Sequence, residues 1–308
     1  FLLIVALMIA AVDKHQDLLR ISAASAGNDH RLGANEAPPA IVSMYLGDEL
    51  TGILDAIADG RTYSKRAAGE VAFGVPVLPK FAVDSTDRNR PSPLAFPGNK
   101  FEFRMLGSAF SIADTNTVLN TIMAEEFRLA AEELSAAKDF NACIKDIIRR
   151  IMKAHGRIVF NGNNYSSEWV QEAERRGLLN LPTTVDCLEL LDSAENIALF
   201  ERHGVLTAEE IKSRKDILIE NYCKLITIEG NTMLDMAEKD VLPAVTTYEK
   251  ELAKTVNSMK EAGFAGMPQK NLLRTLNSLY SDAVKAVEKL KAAMAEGKDA
   301  SDWMSYGR

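Results

Sequence analysis

The sequence predicts an α+β fold, with a mixed segment over residues 1–125 followed by a mostly helical region over 126–308. Three observations carry this reading. Gly and Pro are denser up to residue 110 than beyond it, and apolar periodicity there is short. KFEFRML at 100–106 alternates, placing Phe101, Phe103 and Met105 on one face and Glu102 and Arg104 on the other; that is the period of a strand. After Ile112 the apolar residues recur at helical steps almost to the end.

The elements follow in order. The chain opens with twelve apolar residues, FLLIVALMIAAV. A membrane span needs roughly 18 or more, and no positively charged stretch precedes the run as in a signal peptide. Residues 1–20 therefore read as a buried, then amphipathic, helix whose start has been cut off. Residues 21–37 read as a polar loop. Pro38-Pro39 suits the first turn of a new segment, and MYLGDELTGILDAIADG carries helical spacing from Met44 to a stop at Gly60. GVPVLPKFAV has room for a short strand or two, STDRNRPSPLAFPGN is a long loop, and KFEFRML is the strand. Helices are expected over 112–137 and 140–154. A further one starts at the Ser pair of SSEWVQEAERRG and closes at Gly177. Another is capped by Thr207, with Glu209 and Glu210 in its first turn. Pro243 should break or kink it. The heptad-like spacing of Leu276, Leu279, Val284, Val287 and Leu290 suits an antiparallel helix pair or bundle. DASDWMSYGR has no clean stop, so the C-terminus is also expected to lie inside a longer chain.

Composition limits the function classes. The 308 residues carry a net charge of −7, which argues against a nucleic acid as partner, because a phosphate backbone needs a basic face. The three cysteines, Cys143, Cys187 and Cys223, are widely spaced and make no zinc pattern. They read as reduced thiols in a cytoplasmic protein. The four histidines are scattered; His155, His203 and the cysteines read as packing or surface residues, as do Trp169 and Trp303.

Two segments have the residue types that chemistry needs. In NDHRLGANEAPPAI at 28–41, Arg31 and Glu36 stand five residues apart in a Gly-containing loop. Arginine grips a carboxylate or phosphate bidentately, and a glutamate serves as a base or holds a cation; an ordinary surface pair is the plain alternative. In DRNRPSPLAFPGNKFEFR at 87–104, Arg88, Arg90, Lys100 and Arg104 crowd beside Glu102. Positive charge next to a carboxylate suits a phosphate with a divalent metal; a solvated loop leading into a strand with one ion pair is again the alternative. Glu102 and Arg104 are expected on one strand face, toward a cleft, with Arg90 close by.

At these motifs the sequence resembles the glutamine synthetase family. RLGANEAPPAI is similar to the segment with that family's mobile glutamate, and NRPSPLAFPGNKFEFR to its arginine–strand segment. GNNYSSEWVQEAERRGLLNL and LFERHGVLTAEEIKSRKDILIENYCK point to the type III form, and the likeness extends over essentially the whole chain. The resemblance implies the C-terminal part of the catalytic domain over 1–125 and the type III helical region over 126–308. It implies ligation of ammonia to glutamate through a γ-glutamyl phosphate, with ATP and Mg²⁺ or Mn²⁺ as cofactors, in a cytoplasmic homo-oligomeric ring with no membrane partner. Glu36 would cap the site, hold ammonium and help deprotonate it. Arg31 would bind glutamate, Arg104 would contact its carboxylate region, and Arg90 would stabilise the transferring phosphoryl group. Glu102 would ligate a metal. Lys100 would contact the nucleotide, with Arg88 or Lys80 replacing a second family arginine where this chain has Ala95. The Arg31-to-Glu36 spacing is one residue shorter than in the common short types. The family's other metal ligands do not occur in these residues, so the isolated chain is expected to be inactive. A ligase for a different acid or amine, and a non-catalytic interaction module, are the rival classes.

Overall fold

In the computed structural model the described residues are 1–34, 37–63, 70–71, 81–82, 92–264 and 267–298. They belong to two compact units, Phe1–Lys215 and Asp216–Arg308. The structure is mostly helical with a small three-stranded sheet.

The first unit is organised on helix α1 (Leu2–Lys14). Its side chains are buried without interruption from Val5 to Asp13, so it is apolar on every side and needs cover on every side. Helices α5 (Ala113–Ala136) and α6 (Phe140–His155) pack on it, and α6 also covers α4 (Asp48–Ala58). The expected helix over 1–20 is broken at His15. There the Gln16 side chain donates to the Asp13 carbonyl at 2.9 Å and a separate α2 (Gln16–Ile21) begins.

The expected polar loop 21–37 holds a short helix, α3 (Ala26–Arg31). Ser25, in extended conformation, accepts the Asn28 backbone N–H and starts it. The helical spacing from Met44 also misleads at its beginning, because Met44–Tyr45 is strand β1 and α4 starts only at Asp48, after Gly47 at φ 79°. Its ladder partners are remote: β1 runs parallel to β4 (Leu94–Ala95), and the Phe160 N–H donates to the Met44 carbonyl. β4 in turn pairs antiparallel with β5 (Glu102–Phe103), which sets Ala95 opposite Glu102. Thus only Glu102 and Phe103 of the expected 100–106 strand are strand residues, with the Arg104 N–H bonded just beyond them to the Pro93 carbonyl. β2 (Glu70–Val71) and β3 (Phe81–Ala82) form a separate antiparallel pair, with β3 inside the segment expected to hold a strand.

Asparagines of the GNNY segment fasten the helical region to this sheet. Asn161 Oδ1 accepts the Leu46 and Gly47 N–H groups, and its Nδ2 donates to Thr51 Oγ1. Asn164 is fully buried; it donates to Ser43 Oγ at 2.8 Å and accepts from Ser92 Oγ. Helix α7 (Ser167–Arg175) has its Ser166 cap and its Gly177 stop at φ 69° as expected, and Trp169 is buried against Phe160 with centroids 3.9 Å apart. Trp303 lies outside the described residues. Helices α8 (Thr184–Leu188) and α9 (Ala194–Arg202) follow, then α10 (Ala208–Met236), which opens with reciprocal Thr207–Glu210 bonds.

The unit boundary falls inside α10. Pro243 does not end the helical run: it sits in the first turn of α11 (Leu242–Glu261), where its missing N–H is harmless. The disturbance is taken up before it by a π-helical segment, Ala237–Val241. Helix α12 (Met267–Lys298) packs along α11. Lys291 pairs with Glu238 at 2.6 Å, and a Cβ at Gly230 would meet the Met294 sulfur, so the chain doubles back as an antiparallel hairpin.

Asp13 closes the end of α1. His155 Nδ1 lies 2.8 Å from its Oδ2, and Arg157 Nε donates to its Oδ1 at 2.9 Å. We predict that Asp13→Ala lowers stability by about 2 kcal/mol, less than a fully buried pair because both partners reach solvent. Arg61→Ala, which breaks the exposed Asp59 pair, should stay within about 0.5 kcal/mol. Urea midpoints at constant m-value measure both.

Candidate active site

Strand β5 and helix α3 bring four of the expected site residues together. In β5 and just beyond it, the two-residue period puts Glu102 and Arg104 on one face, as the alternation predicts. Arg104 donates from Nη2 and Nε to Glu102 Oε2 at 2.8 and 3.1 Å. Lys100 holds the other oxygen, Oε1, at 2.9 Å. Two cations on one carboxylate, Arg104 first and then Lys100, draw the Glu102 carboxyl down to about 2. The Arg104 N–H stays on the ladder through the Pro93 carbonyl. Ala95, fully buried opposite Glu102, leaves that face to the Glu102–Arg104 pair.

Arg31 ends α3 and reaches the same strand. Its Nη1 donates to the Met105 carbonyl and to Asn28 Oδ1, both at 3.0 Å. The expectation of a non-helical chain at Arg31 is corrected: the helix is what sets Asn28 and Arg31 on one side, three residues apart. No carboxylate among the described residues pairs with Arg31. Glu36, Arg88, Arg90 and Lys80 lie outside the described residues.

Sequence reasoning missed three residues here. Asn28 is buried and bonded on both sides of its amide. Buried Arg20 pairs with half-buried Asp29 at 2.8 Å; Arg20 also donates to the Leu181 and Pro182 carbonyls, and Asp29 accepts the Thr184 N–H at 2.6 Å. This pair pins α3 to the start of α8. The spacing of Ser25 and Asn28, a cap and its third helical residue, was the available signal.

His155 and His203, expected to be packing or surface residues, both meet buried carboxylates. His203 Nε2 lies 2.9 Å from Glu125, whose carboxyl Arg128, His203 and Arg202 hold down to about 2. Cys187 is buried, which pushes its thiol up to about 12 and leaves it unreactive. The described cysteines are free thiols. A cavity of about 290 Å³ between α1, α5 and α6 is lined by Leu7, Lys14, Glu126, Arg150 and His155 among others, and by none of Arg31, Lys100, Glu102 or Arg104.

Among the described residues no group of three or more His, Cys, Asp or Glu is placed to hold a metal ion. Glu102 is ionised and so fits as one ligand, but Mg²⁺ takes about six oxygens and both Glu102 oxygens already hold a cation. No helix among them is long and apolar enough to cross a membrane.

Residues 143–260 match the family model of the glutamine synthetase C-terminal domain. The chain is 45% identical to a type-3 glutamine synthetase of Dictyostelium discoideum over 266 residues, 84% of this chain and 36% of that protein. The chain belongs to the type III glutamine synthetase family. It is also 41% identical to a glutamine synthetase of Butyrivibrio fibrisolvens over 94% of this chain and 42% of that protein. With a glutamine synthetase of Bacteroides fragilis (strain YCH46) it shares 37% over 85% of this chain and 37% of that protein. The chain thus spans well under half the length of the curated relatives it matches.

The Glu102 carboxyl offers a direct check on this cluster. Its value lies below the ordinary 4.5, so its pairing stabilises the fold above pH 4.5 and is lost as pH falls toward about 2. Carboxyl NMR should show Glu102 still ionised at pH 3.5. Arg104→Met should raise the midpoint more than Lys100→Met.

Proposed function

We propose that the protein to which this chain belongs ligates ammonia to glutamate, giving glutamine through a γ-glutamyl phosphate made with ATP. The observation that carries this reading is the Arg31 guanidinium. It is tied by one nitrogen to Asn28 and the Met105 carbonyl, beside the Glu102–Arg104 pair, and is matched by no carboxylate of the described residues. A half-buried, tethered guanidinium with unspent donors suits an amino-acid carboxylate.

In this reading residues 1–125 are the C-terminal part of the catalytic domain and 126–308 the helical type III region. Arg31 binds glutamate and Arg104 contacts its carboxylate region, kept in place by Glu102. Lys100, with Arg88 or Lys80, faces the nucleotide phosphates. Arg90 supplies positive charge where the phosphoryl oxygens develop theirs. Glu36 closes the site, holds ammonium and takes a proton as the amine attacks. Glu102 supplies one ligand to a Mg²⁺ or Mn²⁺ ion, which when bound neutralises phosphate charge. A cytoplasmic homo-oligomeric ring completes the proposal.

Single-turnover chemistry on the full-length protein tests it, with acyl-phosphate formation and glutamine release followed separately. Glu36→Ala should slow the ammonia step and spare acyl-phosphate formation. Arg90→Ala should slow acyl-phosphate formation by about 10²–10³. Acyl-phosphate lost in Glu36→Ala with ammonia dependence unchanged would make that loop a substrate lid without acid–base work.

A further inference from the structure

Asn28 stands at the centre of the Arg31 arrangement. Its side chain is 1% exposed. The amide Nδ2 donates to the Ala23 carbonyl at 2.6 Å and the Met105 carbonyl at 3.0 Å, and Oδ1 accepts from Arg31 Nη1 at 3.0 Å. The reverse amide orientation would set an oxygen against two carbonyl oxygens, so the surroundings admit one orientation only. The Ser25 hydroxyl and carbonyl both receive the Asn28 backbone N–H, which holds the residue at its place in the helix.

Arg31 uses the same carbonyl. Its Nη1 is shared between Asn28 Oδ1 and Met105 O, so asparagine, arginine and the carbonyl just past Arg104 form a closed triangle. Among the described residues the Nε and Nη2 donors of Arg31 have no partner. That edge of a guanidinium presents two parallel N–H groups, the arrangement a carboxylate accepts. An untethered arginine has to be ordered when its ligand arrives, and a tethered one is ordered beforehand.

We infer that Asn28 is the positioning residue of the substrate arginine, holding one nitrogen of Arg31 on the Met105 carbonyl and leaving the Nε–Nη2 edge for a carboxylate of the amino-acid substrate. This rests on the glutamate-binding role proposed for Arg31. Asn28 itself touches no substrate and acts through the guanidinium.

The test is a double-mutant cycle in the full-length protein with Asn28→Ala, Arg31→Ala and the double variant. KM for glutamate and for ATP are measured for each, with glutamate binding by calorimetry as a readout free of turnover. Asn28→Ala should weaken glutamate by about 10- to 100-fold, the worth of a hydrogen bond to a charged group. KM for ATP should stay within about twofold. In the Arg31→Ala background the same change should do little more, because the arginine it positions is gone. Equal losses for glutamate and ATP, or an effect undiminished in the Arg31→Ala background, would overturn the inference and leave the function standing. Wild-type protein that neither binds nor turns over glutamate would overturn the function and this inference together. If Asn28→Ala does not fold, Asn28→Ser serves instead. It keeps a small polar side chain at the site but is too short to hold Arg31, and should weaken glutamate about tenfold without moving ATP; unchanged glutamate binding would count against the role.

Discussion

Helix α1 is buried at nine consecutive positions, Val5 to Asp13, and that all-round burial is the constraint on which the first unit is arranged. A helix with no polar face has to be enclosed. The enclosing helices, α5 and α6, come from more than a hundred residues away in the chain. Its C-terminal end then carries charge into the interior, and the surrounding elements answer it. Asp13 meets His155 and Arg157, and Lys14 meets Glu126. Each of these contacts ties the helical region to the segment with the candidate site.

A second layer of buried polar bonds gives the candidate site its geometry. Asn161 and Asn164 hold the chain around β1 and β4 from the helical region, and the Arg20–Asp29 pair holds α3 on the start of α8. Buried polar groups of this kind are costly when left unpaired and specific when paired. The positions of Arg31 and of the Glu102–Arg104 pair therefore depend on residues that belong to the helical region and touch neither. That is a physical reason for the motifs of the helical region to run together with those of the arginine segments in one sequence.

Local pattern made some of this legible. The alternation of KFEFRML disclosed the Glu102–Arg104 pair, because a period of two brings i and i+2 together whatever the rest of the chain does. The caps at Ser166 and Thr207 and the stop at Gly177 were readable for the same reason: each bond is closed within a few residues. Other features were not readable. The spacing from Met44 fits a helix, and the strand there exists because Leu94 and Phe160 pair with it from far along the chain. His155 reads from sequence as a packing or surface residue, since its carboxylate partner lies far off at Asp13.

The sequence by itself determined the helix caps at Ser166 and Thr207 and the stop at Gly177, which residues share the β5 face, and which residue types stand ready for an anionic substrate. Those properties rest on bonds between near neighbours. Only the tertiary structure decided that Arg31 lies against the Met105 carbonyl, that Asn28 holds it there, and that Lys100 and Arg104 divide the oxygens of Glu102. Much of that depends on the register of β5 and its distance from α3. Both are set by burial and by hydrogen bonds between segments that only folding brings into contact.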